Sequence, residues 1–115
     1  MDYSSFYKGQ SIRVFLSEQV QKFIGREEKR NQAKIHSTLE RLANSGHINN
    51  NEKFKHEGNG IWAVKAGQVR VYGWFDDVNG RAFIGAHFII KKKNKADRVD
   101  LEIVKKLRDD FQKGE

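Results

Sequence analysis

The chain has 115 residues and no cysteine, and 22 Lys and Arg against 15 Asp and Glu give it a net charge of +7. This length predicts a single domain over residues 1–115, and the missing cysteines exclude a disulfide framework and a thiolate zinc site. The positive charge favours a polyanionic partner, with solubility alone as the other interpretation. No histidine pair has ligand spacing and no apolar run is long enough to cross a membrane, so we expect no metal, no cofactor and a cytoplasmic location.

The first half of the chain predicts one strand and a helical hairpin. Residues 11–16 alternate between polar and apolar side chains, and Ser17 is a suitable N-cap for a helix that Gly25 interrupts or bends. Residues 28–43 predict a second helix, because apolar side chains recur there at helical spacing. Residues 47–60 are polar and rich in Asn and Gly, so they predict a long connection.

The second half predicts three strands and a closing helix. The strands cover residues 61–65, 68–75 and 81–91, and Asn79-Gly80 is a hairpin signal that pairs the last two antiparallel. A helix with an apolar stripe follows, capped by Asp97. The predicted fold is α+β, with a mainly antiparallel sheet, an N-terminal helical hairpin and a C-terminal helix in the order β-α-α-β-β-β-α.

The two strands of this hairpin carry basic and aromatic side chains on alternate positions. A period of two sends Arg70, Tyr72 and Trp74 to one face of the central strand and the valines to the other. In the next strand, the same period separates His87 and Lys91 from the apolar residues at even positions. The pairing then predicts one sheet face that packs and a second, basic face that is open to a ligand.

The basic face has groups for each step of metal-independent RNA cleavage. The 2′-hydroxyl must lose a proton, the phosphorane needs charge stabilisation, and the leaving oxygen must gain a proton. Arg70 suits charge stabilisation because its guanidinium stays protonated, and His87 suits proton transfer. The structural interpretations are that Arg70 forms an ion pair, that Tyr72 and Trp74 pack in a core, and that the lysines from 91 to 93 only end a strand.

Three short tracts combine basic and apolar residues in a further pattern. They are Phe54-Lys55 leading to the strand at 61–65, Val69-Arg70-Val71-Tyr72, and His87-Phe88-Ile89-Ile90-Lys91-Lys92. With the element order, these tracts resemble the RelE/HigB-like toxins of bacterial toxin–antitoxin modules, especially the phage-derived branch. The resemblance covers nearly the whole chain and implies a small curved sheet flanked by helices. It also implies a metal-independent endoribonuclease that cuts messenger RNA, commonly on the ribosome, and is silenced by a cognate antitoxin with a helix-turn-helix domain.

The resemblance also implies roles for single residues. Arg70 is similar to the family's phosphate-contacting strand arginine, Lys91 and Lys92 are similar to its basic pair, and Lys65 stands where the family often has arginine. The expected catalytic residues are Arg70, His87, Lys91 and Lys92, and the expected substrate-binding residues are Lys55, Lys65, Tyr72, Trp74 and Lys93. The C-terminal tail lacks the His or Tyr that some members use, so the general base stays open between Tyr72, His87 and a lysine.

Two other functions fit the same residues. One is a non-catalytic basic module that binds nucleic acid through phosphate contacts. Both this module and a nuclease would bind in a salt-dependent way, so only the formation of cleavage products distinguishes them. The other is a ParE-like toxin that inhibits gyrase, although the basic strand end beside His87 argues against it. For the antitoxin, we expect either an acidic segment docked on exposed Tyr72 and Trp74 or binding to the helical hairpin over residues 17–43.

Overall fold

The computed structural model describes residues 2–91 and 98–114, which fold into six strands and three helices. The elements are β1 (Tyr3–Lys8), β2 (Arg13–Ser17), α1 (Glu18–Arg26), α2 (Lys29–Ser45), β3 (Phe54–Gly58), β4 (Ile61–Ala66), β5 (Val69–Asp77), β6 (Arg81–Ile90) and α3 (Arg98–Gln112). No helix in the described part of the chain is long and apolar enough to cross a membrane.

The predicted order β-α-α-β-β-β-α is wrong, because the chain has two further strands. β1 lies in the polar N-terminal segment, and β3 lies inside the predicted connection over residues 47–60. Both are edge strands, and Ser4, Ser5 and His56 in them are exposed. An edge strand keeps polar side chains in water and therefore lacks the apolar alternation that marks a half-buried strand.

The six strands form one mixed sheet in the order β1-β2-β6-β5-β4-β3. Neighbouring strands are antiparallel except β2 and β6, which pair in parallel with Val14 beside Phe83. A parallel pair needs a crossover connection, and here α1, α2 and the strands β3 to β5 lie between the two partners. The hairpin between β5 and β6 was predicted correctly, and Asn79 and Gly80 adopt positive φ angles of 53° and 116° in its turn.

The helix boundaries follow local capping signals. Ser17 caps α1, because its hydroxyl accepts a hydrogen bond of 3.1 Å from the backbone N–H of Val20. Gly25 does not interrupt this helix, which continues to Arg26. At the end of α2, Gly46 has a φ of 77° and its N–H bonds to a carbonyl of the last turn, as is usual for a C-terminal glycine.

Both faces of the sheet are covered, so the prediction of one open face is wrong. On one face α1 and α2 bury their apolar stripes against Leu16, Val71 and Phe83. On the other face α3 packs against β4, β5 and β6, and the apolar cluster there includes Tyr72 and Trp74. These two side chains are 0% and 1% exposed. The prediction that they are exposed, for base stacking or antitoxin docking, is therefore wrong.

A β-bulge in β6 breaks the predicted alternation. Tyr72 pairs with His87, but the next residue of β5, Gly73, pairs with Gly85, so Ala86 is an extra residue. As a result His87 shares its face with residues at even positions before the bulge, and Phe88 lies on the opposite face. Gly73 makes this possible, because a Cβ there would overlap the backbone of β6.

Candidate functional site

The sheet register places the predicted site residues in two adjacent rows on the face that α3 partly covers. One row runs across the strands through Lys65, Arg70 and Ile89. We call these residues the cationic row. The next row runs through Lys55, Ala63, Tyr72 and His87. Paired residues on neighbouring strands share a face, so the structure gathers Lys55, Lys65, Arg70, Tyr72 and His87, as the sequence predicted for most of them.

His87 has a partner that the sequence analysis missed. Its Nε2 lies 2.9 Å from Oδ1 of Asp100, which belongs to the first turn of α3, and the two side chains are 19% and 20% exposed. The ring of Tyr72 lies nearly parallel to the imidazole, with 6.2 Å between the ring centroids. A carboxylate bound to one nitrogen fixes the orientation of an imidazole. No local signal in the sequence pairs Asp100 with His87.

Arg70 is 7% exposed, and the β4–β5 turn holds its guanidinium. Its Nη1 donates to the carbonyl oxygens of Gly67, at 2.6 Å, and Val69, at 3.0 Å. Among residues 2–91 and 98–114, no carboxylate forms an ion pair with Arg70. The alternative that Arg70 only forms an ion pair is therefore not found in this part of the chain. No carboxylate there neutralises the guanidinium, which lies at one end of the basic face.

Lys65, in the cationic row, has a lowered pKa. Partial burial lowers the pKa of its ammonium, and the charges of Arg70 and Lys55 lower it further. Lys55 is itself 3.8 Å from a carboxylate oxygen of Glu57. A lysine with a lowered pKa gives up its proton more readily, so Lys65 is suited to proton transfer as well as to the phosphate binding predicted for it.

The remaining predicted residues are Trp74, Lys91, Lys92 and Lys93. Trp74 packs edge to face against Tyr3 and Phe111, with 6.4 Å and 5.7 Å between ring centroids. Its Nε1 is buried without a hydrogen-bond partner among the described residues. Lys91 follows β6 and is half-buried, and its backbone N–H bonds to Gln68 at 2.6 Å. Lys92, Lys93 and the predicted cap Asp97 lie outside the described residues.

Comparisons with known proteins leave the family open. No family model matches the sequence, and no curated protein matches it significantly. The resemblance to RelE/HigB-like toxins therefore stays a prediction. Within residues 2–91 and 98–114, no three His, Asp or Glu side chains come together to hold a metal ion.

Proposed function

We propose that the chain is a metal-independent endoribonuclease and the toxin of a toxin–antitoxin module. One observation carries the proposal: a carboxylate-bound histidine lies next to a row that contains a lysine with a lowered pKa and an arginine without a carboxylate partner in the described chain. Such a set combines proton transfer with stabilisation of a pentavalent phosphate, which are the needs of 2′-hydroxyl attack.

In this proposal each residue has one role. Arg70 stabilises the charge of the phosphorane, because a guanidinium can hold two phosphate oxygens at once. His87, positioned by Asp100, exchanges a proton with either the attacking 2′-hydroxyl or the leaving 5′-oxygen, and Lys65 or Lys91 serves the other oxygen. The first product is then a 2′,3′-cyclic phosphate.

The proposed partners follow from the same role. The substrate is messenger RNA, bound on the ribosome in the cytoplasm, and a cognate antitoxin with a helix-turn-helix domain keeps the enzyme silent. Since Tyr72 and Trp74 are buried, the antitoxin does not dock on these rings. The helical hairpin of α1 and α2 is the other predicted docking surface and stays a proposal.

The test is expression of the chain alone in bacteria, followed by mapping of transcript ends. We expect growth arrest and cut transcripts from the wild type, and intact transcripts with the His87→Gln variant. The purified chain should also cut RNA in the presence of a chelator and leave 2′,3′-cyclic phosphate ends. Lys105→Gln, which changes an exposed lysine of α3, is the matched control and should remain active. Arrested cells with intact transcripts, or messenger RNA that the pure protein leaves uncut both free and on ribosomes, would contradict the proposal.

One observation favours a second function, a non-catalytic module that binds nucleic acid. The guanidinium of Arg70 already donates to two carbonyl oxygens of its own turn, which is also how an arginine with a purely structural role is held. Such a module would bind RNA with strong salt dependence. It would leave the RNA uncut, so the chelator experiment separates the two functions.

A further inference from the structure

A second basic feature lies where α2 faces the β4–β5 turn. It is an open groove of about 500 Å³. Three basic residues and one acidic residue contribute to its walls, namely Arg30, Lys34, Lys53 and Glu52, and Lys65 borders the groove although its side chain belongs to the face that α3 covers. Among residues 2–91 and 98–114, none of these five side chains takes part in an ion pair. The groove therefore has a net positive charge that no contact within the described chain neutralises.

The two sides of the groove are built on regular structure. Arg30 and Lys34 are one helical turn apart on α2, and the small Ala33 lies between them, so both cations line the same wall. Across the groove, the backbone N–H of Lys65 donates to the carbonyl of Lys53 at 2.8 Å. Arg30, Lys34 and Lys53 are exposed, so their charges reach solvent from anchored backbone positions.

The groove adjoins the candidate site through the β4–β5 turn. Lys65 lines the groove and is the register partner of Arg70 in the cationic row. Gly67 also lines the groove, and its carbonyl accepts the 2.6 Å hydrogen bond from Arg70. The groove and the cationic row therefore border the same turn from the two faces of the sheet, and a polyanion bound at Arg70 reaches the groove by passing over this turn.

We propose that this groove binds the sugar–phosphate backbone of single-stranded RNA beyond the bond that the candidate site cleaves, an inference that rests on the proposed function. The lining supports phosphate contacts rather than base recognition, because it offers cations and the exposed hydroxyl of Ser37 but no aromatic ring. An acidic amphipathic helix is disfavoured as occupant, because Ala33 and Ala66 are the apolar residues of the lining and offer no deep pockets for its apolar side chains.

The experiment compares two double variants on two RNA probes. Arg30→Ala with Lys34→Ala removes two groove cations, and Lys105→Ala with Lys106→Ala removes two exposed cations of α3, which packs on the opposite face of the sheet. The probes are 2′-O-methyl RNA, which resists cleavage, as a dinucleotide and as a strand of about ten nucleotides, within the usual range of single-strand sites. Circular dichroism checks that each variant keeps the fold.

We expect the groove variant to bind the longer probe roughly tenfold more weakly. The slope of log affinity against log salt should fall by about 1.4, the value for two lost single-strand phosphate contacts. Dinucleotide binding and the α3 control should stay at the wild-type level.

Three outcomes would overturn the groove assignment. They are unchanged binding of the longer probe by the groove variant, an equal loss in the α3 control, and no RNA binding by the wild type. Groove-dependent binding by a wild type that never cuts unmodified RNA would support the groove and refute the proposed nuclease. The two proposals can thus fail separately.

Discussion

Replacing Arg70 by methionine separates its role in the site from its role in the fold. The change removes two hydrogen bonds, to the carbonyls of Gly67 and Val69. Gly67 is exposed, so water can replace one donor, and we expect a loss of about 1–2 kcal/mol in the free energy of unfolding. Removal of the charge beside Lys65 offsets part of this loss, because Arg70 is one of the causes of the lowered pKa of Lys65. Such a loss is small against a typical stability of about 5–15 kcal/mol.

The effect on cleavage should be much larger. Loss of one preorganised group that stabilises transition-state charge typically lowers kcat by about 10²–10³-fold, and we expect this range for Arg70→Met. Arg70→Lys keeps the charge and loses the planar fork, so its kcat should lie between the values of the wild type and Arg70→Met. Single-turnover cleavage of labelled RNA and urea unfolding of the same samples provide both numbers. Cleavage within a few-fold of wild type would remove Arg70 from the mechanism, and a stability loss above about 4 kcal/mol would make it mainly a structural residue.

Three further predictions concern the β5–β6 bulge, the N-terminal strand and the histidine pair. Gly73→Ala should lower the free energy of unfolding in urea by about 3 kcal/mol or more, because its Cβ would overlap the backbone of β6. Gly25→Ala, in open space on α1, should raise the same free energy by about 0.5–1 kcal/mol. Burial and a nearby carboxylate raise the pKa of Tyr3 from 10.0 to about 12, so the unfolded chain loses this proton first. Stability should therefore fall as pH rises from 10.0 to 12, by well under the roughly 3 kcal/mol of the full shift, because solvent screens this partly exposed side chain. A Tyr3→Phe variant with the same pH dependence would contradict this origin. Asp100→Asn should lower kcat by roughly 10²-fold with RNA affinity unchanged, because the imidazole of His87 loses its positioning carboxylate; equal losses of kcat and affinity would indicate a general structural effect instead.

The parts of the fold that depend on residues close together in the sequence were predictable. The cap at Ser17 and the turn at Asn79-Gly80 both use short-range hydrogen bonding and backbone preferences, and both are where the sequence places them. Edge strands β1 and β3 were not, because one edge of each strand is unpaired and exposed side chains such as Ser4, Ser5 and His56 interrupt the apolar pattern. Their pairing is stabilised by the strand beside them, which a local pattern does not contain.

The candidate site was predictable in composition and less so in geometry. Strand alternation correctly put Arg70 and Tyr72 on one face. The bulge at Ala86 depends on the close approach that Gly73 permits, and alternation alone cannot locate it. The contact between His87 and Asp100 depends on where α3 docks, which is a tertiary choice. The same choice buries Tyr72 and Trp74, residues whose aromatic character fits a core as well as a nucleic-acid surface.

The sheet face on which α3 packs has two ends that differ in composition, one aromatic and one cationic. Phe111, near the end of the helix, packs on Trp74, and Asp100, in its first turn, contacts His87. Arg70 is four residues from Trp74 along β5, which is about 13 Å at the usual rise per strand residue, so the cationic row lies toward the end of the sheet face at which α3 begins. The aromatic end needs close packing, and a change there should act on stability first. The cationic end has like charges whose repulsion is unfavourable for folding. A polyanion bound at this end would neutralise these charges and remove the repulsion.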